Sequence, residues 1–303
     1  MIAIIHYAYG APKSIDDLTS YFSHMLNGKP VPQPMIDQIS ASFLKPGFPD
    51  FIASSTQRIA KGLENLLNNQ LEEQVKVYNA YKHTAPFVKD AYEQAVIEGA
   101  TTIITLPINA IHSSSGGGAV HNEVAELIGE KEIRHIALNS WHLDEGITAV
   151  YADRVTRAFN WLPLSAHENA HVLFTVHSQP IEAERNKPYI KQFEELASAI
   201  ANKTGIKNWH ITYRSSGGKA NWLAPDVKEK IKDLHDAGAT GFVTCELLAL
   251  SADVESYFEI GEDCQKLCES LHVPFSMAEF PGDSFDTVNA LAKLVQKYIM
   301  ESF

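Results

Sequence analysis

The sequence of 303 residues holds only three cysteines, Cys245, Cys264 and Cys268, an odd number with no Cys-x-x-Cys pair. That excludes a disulfide framework and argues against a tetrathiolate zinc or iron–sulfur centre. Basic residues are also short: 25 Lys+Arg face 37 Asp+Glu, leaving −12, so no nucleic-acid partner and no anionic membrane surface are expected. No apolar run approaches the roughly 20 residues needed for a transmembrane segment. Residues 1–5 lack the charged start and the length of a signal peptide, so a cytoplasmic location is expected. Three motifs are missing as well. Without HExxH a zinc hydrolase is not supported, and without GxSxG there is no nucleophile elbow. The Ser- and Gly-rich loop around His112 to Gly118 is followed by no Gly-Lys-Ser/Thr and completes no GxGxxG, which sets nucleotide binding aside.

What remains is an ordinary globular composition, 45% hydrophobic and 20% charged, in a chain long enough for two lobes of roughly 150 residues. Strands are expected at about 2–8, 75–81, 101–106, 133–138, 170–176, 209–213, 241–245 and 273–277, with helices between nearly all of them. Alternation of this kind gives parallel sheets covered on both faces. The fold class is therefore α/β, as two Rossmann-like lobes with a cleft between them. A weak internal repeat supports the division. Pro86-Phe87-Val88-Lys89-Asp90 running to Gly99-Ala100-Thr101 resembles Pro225-Asp226-Val227-Lys228-Glu229 running to Gly238-Ala239-Thr240, at an offset of 139 residues. Ala8 to Pro12 resembles Val176 to Pro180 at an offset of 168. The difference places inserted helices at about 30–71 (35–44 and 54–71) in the first lobe, which is expected over 1–160, with the second over 161–303.

Two stretches carry chemistry. The apolar run from Ala170 ends abruptly at His177, and ligands of open α/β sheets bind beyond the carboxyl ends of such strands. A helix expected from Asp253 to Leu271 carries Glu255, Glu259 and Asp263 at i, i+4 and i+8, one acidic row on one face. Like charges at that spacing repel, and a solvated acidic face would have the same pattern. An imidazole beside carboxylates also suits a borderline divalent cation such as Fe²⁺, with the row as a route for hydrated cations and a possible site for an accessory divalent metal. Cys264 and Cys268 are expected to pack as small apolar groups.

Ala8-Tyr9-Gly10-Ala11-Pro12, the helix and turn from Tyr21 to Pro30, Lys82-His83-Thr84-Ala85-Pro86-Phe87, Val176-His177-Ser178-Gln179-Pro180, Trp222-Leu223-Ala224-Pro225-Asp226, and the row Glu255, Glu259, Asp263 are six stretches in one order. Together they resemble the ferrochelatases, in particular the soluble Gram-positive type that acts on coproporphyrin. The resemblance implies that His177 and Glu255 are a catalytic pair facing the porphyrin centre, with Glu259 and Asp263 passing metal toward them. It implies Tyr9 as an axial contact, His83 and Trp222 as lining residues and Lys29 as a remaining propionate contact. It further implies Fe²⁺ and a porphyrin as substrates, no organic cofactor, and a monomer. Asp253 stands where the family usually has histidine, which reads as a more acidic site. The segments 46–51 and 111–118 and the pair Leu26-Asn27 also depart from the family pattern. A non-catalytic porphyrin or haem carrier on the same fold, and a chelatase for another tetrapyrrole or metal, are the alternatives.

Overall fold

The computed structural model describes residues 1–12, 14–34, 36, 37, 40, 48–181, 184–216 and 220–302. Its backbone forms two four-stranded parallel sheets, ordered β2-β1-β3-β4 and β6-β5-β7-β8. The first contains β1 (Ile2–Ala8), β2 (Val75–Tyr81), β3 (Thr102–Pro107) and β4 (Arg134–Ala137). The second contains β5 (Ala170–His177), β6 (Trp209–Arg214), β7 (Gly241–Glu246) and β8 (Phe275–Met277). Among the described residues the helices of eight residues or more are α1 (Leu18–Met25), α2 (Phe48–Gln70), α3 (Val88–Ile97), α4 (Gly117–Ile128), α5 (Glu145–Trp161), α6 (Lys187–Thr204), α7 (Val227–Asp236), α8 (Asp263–Ser270) and α9 (Phe285–Glu301). No helix among the described residues is long and apolar enough to cross a membrane.

Both central strands, β1 and β5, are apolar and buried along almost their whole length, as parallel strands covered on two faces must be. In the first sheet Ala3, Ile5 and Tyr7 of β1 pack with Val88, Ala91 and Ala95 of α3 and Val120 and Val124 of α4. In the second, Leu173 and Phe242 pack with Val227 and Ile231 of α7, Ile260, and Cys264 and Cys268 of α8. Each fully buried Leu, Ile or Phe contributes about 1.5–3 kcal/mol. The three thiols are free and buried, and the Cys264 S–H donates to the Glu259 carbonyl at 3.1 Å.

Two compact units emerge, residues Met1–Ile108, Ser115–Asn139 and Gly282–Phe303 in one, Asn109–Ser114 and Ser140–Pro281 in the other. They do not coincide with a single cut at residue 160. Helix α5 packs on α6 and on β7 and β8, so it joins the second sheet, while α9 returns to pack on α2 of the first. The internal repeat is visible in the hydrogen bonding. Tyr81 N–H donates to the Pro86 carbonyl at 2.8 Å and Tyr213 N–H to the Pro225 carbonyl at 2.9 Å. Residues 48–51, read as loop from sequence, form the first turn of α2; the helix expected over 35–44 and the stretch 46–47 lie largely or wholly outside the described residues.

Candidate functional site

His177 is the last residue of β5, and the sheet register brings it beside Arg214 at the end of β6. Its Nδ1 lies 2.6 Å from the Ser178 carbonyl. A carbonyl can only accept, so Nδ1 carries the proton and the Nε2 lone pair of the neutral ring is left outward-facing. Nε2 lies 3.4 Å from Glu255 Oε2. The Tyr189 hydroxyl donates to the His177 carbonyl at 2.8 Å, and the Ser178 hydroxyl to the Leu223 carbonyl at 2.8 Å. Trp222 is bridged to Pro180 by backbone pairing, and its ring centre lies 6.3 Å from that of His177.

Glu255 sits in a short helix, Val254–Ser256, that starts at a capping box. The Asp253 side chain accepts from the Ser256 N–H at 2.6 Å, and the Asp253 N–H donates back to Ser256 Oγ at 3.0 Å. The helix does not continue in α form, as the sequence pattern had implied. A π turn, Tyr257–Glu262, intervenes before α8, and the Asp263 N–H reaches back five residues to the Phe258 carbonyl. The acidic row is thereby broken in its partners. Glu259 accepts from Ser215 N–H at 2.7 Å, whereas Asp263 meets Lys228 Nζ at 3.5 Å. Among the described residues no three His, Cys, Asp or Glu side chains are gathered so as to hold a metal ion.

Sequence reasoning missed two charged groups here, Arg214 and Glu246. Arg214 is 1% exposed, and its guanidinium donates to three carboxylates: Nε to Glu246 Oε2 at 3.1 Å, Nη2 to Asp253 Oδ2 at 2.8 Å and Nη1 to Glu255 Oε2 at 3.3 Å. The Asp253 carboxylate, expected to make the site more acidic, is therefore matched by a buried cation. Ser215 follows in the left-handed region at φ +59°, a conformation that costs a non-glycine residue about 1–2 kcal/mol. That strained turn aims its N–H at Glu259 and puts its hydroxyl between Glu255 and Glu259, at 3.2 and 3.0 Å.

These contacts set the charges. The bond to His177, outweighing burial and helped by Arg214, holds the Glu255 carboxyl down at about 2. Burial pulls the His177 pKa down, but the Glu255 carboxylate and the Ser178 carbonyl outweigh burial and the opposing Arg214 charge, and the net shift is upward. Burial disfavours a charged Arg214 too, and Asp253, Glu246, Glu255 and Glu259 more than reverse this. Burial pushes Glu246 up to about 7 despite its guanidinium partner, and raises Glu259.

The remaining site residues from sequence, Tyr9, His83 and Lys29, belong to the first unit. Tyr9 follows β1, and the His83 N–H donates to its carbonyl at 3.2 Å. The two rings meet edge to face at 4.6 Å, and Lys82 Nζ stands 5.5 Å from the Tyr9 ring centre. The His83 Nδ1 shares a proton with His24 Nδ1 at 2.9 Å, while its Nε2 is buried and finds no hydrogen-bond partner among the described residues. Burial, then the charges of Lys82 and His24, lower the His83 pKa to about 4, so the ring is neutral. Lys29 lies exposed in the turn after α1.

The ferrochelatase family model matches residues 1–299. Among curated relatives, the coproporphyrin III ferrochelatase of Geobacillus thermodenitrificans is 27% identical over 302 residues, covering 98% of this chain and 95% of that one. The protein of that name from Halalkalibacterium halodurans is 26% identical over 308 residues, covering 99% and 98%. Among solved structures, SirB from Bacillus subtilis with Fe³⁺ superposes with a TM-score of 0.60 at 16% identity, covering 98% of this chain and 95% of that one. At that identity the likeness concerns the fold alone, two parallel sheets flanked by helices. The family match spans nearly every element described, and the chain belongs to the ferrochelatase family.

Proposed function

We propose that this chain is a lyase inserting Fe²⁺ into a porphyrin, coproporphyrin III, in haem biosynthesis, with His177 and Glu255 as its catalytic residues. The observation that supports this most is the 3.4 Å approach of His177 Nε2 to Glu255 Oε2 at the carboxyl end of β5. Insertion replaces two pyrrole N–H protons by one metal ion and strips that ion of water, so it needs a proton acceptor and an anionic ligand close together. A neutral His177, its Nδ1–H committed to the Ser178 carbonyl, offers Nε2 to a pyrrole proton. Glu255, kept ionised, offers oxygen to the metal or to the second proton. Glu259 and Asp263 supply carboxylates along the metal's approach. Tyr9, His83, Lys29 and Trp222 are proposed porphyrin contacts, as the family resemblance implies. Coproporphyrin III is favoured as substrate because the relatives bearing that name align end to end with this chain. A cytoplasmic location accompanies the reading.

Anaerobic absorbance of the purified chain with Fe²⁺ and either coproporphyrin III or protoporphyrin IX tests it. Conversion of the coproporphyrin III bands to those of the metal complex is the expected result. Porphyrin binding without metalation of either substrate would overturn it in favour of a carrier.

A further inference from the structure

The cluster behind His177 contains more negative charge than metal delivery calls for. Glu246, Asp253 and Glu255 converge on one guanidinium, which also feels the charge of Glu259, and His177 Nε2 lies beside Glu255. An imidazole and a carboxylate facing a divalent cation hold it more tightly when no positive charge lies beside them. A protein that passes its metal to pyrrole nitrogens gains nothing from such grip, because every increment of ground-state binding must be undone during transfer.

Arg214 is placed to relieve it. Its side chain is 1% exposed and anchored on the far side by Glu246, itself 2% exposed, so the fork cannot swing away without stranding a buried charge. Of its three carboxylate contacts, the one to Glu255 falls on Oε2, the same oxygen that faces His177 Nε2 and Ser215 Oγ. That oxygen accepts from Arg214 and Ser215 while it faces the imidazole, which orients the side chain although Glu255 is 49% exposed.

We propose that Arg214 is a positioning residue for metal insertion, which holds Glu255 toward His177 and, as the permanent cation of the cluster, weakens metal binding enough for the ion to be passed on. Asp253 completes the device: capping its own helix through Oδ1 and accepting from Arg214 through Oδ2, it ties the guanidinium to the segment that carries Glu255. The inference rests on the metal-insertion reading above, and it makes metal affinity and turnover move in opposite directions.

The test compares the wild-type chain with Arg214→Gln and with Arg214→Gln/Glu246→Gln, the second removing the buried cation together with the buried anion that anchors it, so that no unpaired charge is left in the interior. Co²⁺ affinity is measured on the porphyrin-free protein, and Fe²⁺ insertion into coproporphyrin III anaerobically. Arg214→Gln is expected to bind Co²⁺ about tenfold more tightly, and its kcat to fall about tenfold or more with the porphyrin KM unchanged. The double variant is expected to shift both quantities in the same directions. Arg214→Lys, which keeps the charge without the fork, is expected to bind Co²⁺ as the wild type does. Unchanged or weaker Co²⁺ binding in the double variant, or wild-type turnover there, would overturn the proposal and reduce Arg214 to a partner for Glu246. If the wild-type chain inserts no iron, the functional reading fails, and the Co²⁺ comparison still decides the role of Arg214.

Discussion

Tyr9 and His177 hold equivalent places in their own sheets, and so do Lys82 and Arg214. In each unit the central strand pairs with a neighbour through an aligned register, Ala8 with Tyr81 and Val176 with Tyr213; the next two residues end the strands in the second unit and directly follow them in the first. One end reads Tyr9 and Lys82, the other His177 and Arg214. Each is a ring beside a cation. What differs is the company. Lys82 is half-buried against the Tyr9 ring, with burial lowering its pKa, and His83 next to it is neutral. Arg214 is buried among carboxylates from β7 and from the segment leading into α8. Where β7 supplies Glu246 opposite Thr175, β3 supplies Pro107 opposite Tyr7. One scaffold occurs twice, and among the described residues the cluster of carboxylates around a guanidinium stands at the strand ends of the second unit.

The largest effect expected from this difference lies in the second unit. His177→Ala and Glu255→Gln should each lower Fe²⁺ insertion by about 10²-fold or more, as loss of a group acting on the reacting centre does, while circular dichroism stays that of the wild type. At the equivalent place in the first unit Tyr9→Phe, which keeps the ring, should cost less than about tenfold. Equal losses at the two positions would break the comparison.

The pH dependence sharpens it. His177 is faced by the Glu255 carboxylate, the Arg214 guanidinium, the Ser178 carbonyl and the Trp222 ring, and its folded pKa lies above the ordinary 6.5. The pairing with Glu255 therefore adds stability that is fully present below pH 6.5 and is lost as pH rises through the folded value. Insertion needs the neutral ring, so kcat should rise with pH through a midpoint above 6.5. In Glu255→Gln the midpoint of the residual activity should fall below that of the wild type, because burial and Arg214 are then opposed only by the Ser178 carbonyl. A midpoint that does not move would remove His177 as the titrating base.

The smallest effect tests the shared scaffold. Gly99 at φ +86° and Gly238 at φ +95° end α3 and α7 in the same left-handed turn, each followed by an Ala whose N–H reaches back five residues. Gly99→Ala and Gly238→Ala should each cost about 1 kcal/mol, seen as a Tm lowered by a few degrees, and by similar amounts if the two units are the same construction.

The scaffold was legible because its signals are local. Apolar runs, Pro near helix starts and Gly at helix ends gave β1 and β2 their observed bounds and most other elements theirs within two residues. His177 and Glu255 were singled out by family resemblance together with their places at a strand end and on an acidic helix. Arg214 and Glu246 were not, since each is one residue past the apolar run that defined its strand, and a charged residue there looks like the start of a loop. Only the pairing of β6 and β7 on either side of β5 makes them partners, and no spacing along the chain encodes that. The π turn was hidden for a related reason: Glu255, Glu259 and Asp263 keep helical spacing in sequence, and the extra residue per turn shows only in the backbone bonds. The boundary between units escaped because α9 crosses back to the first sheet, which a linear cut cannot express.

The most direct test of the account is a single-turnover reaction, anaerobic and with excess Fe²⁺, on Glu255→Gln preloaded with coproporphyrin III. The porphyrin is expected to bind as it does to the wild type and to stay metal-free while the wild type converts it. Metalation at the wild-type rate would show that the charged end of the second unit does not perform the insertion.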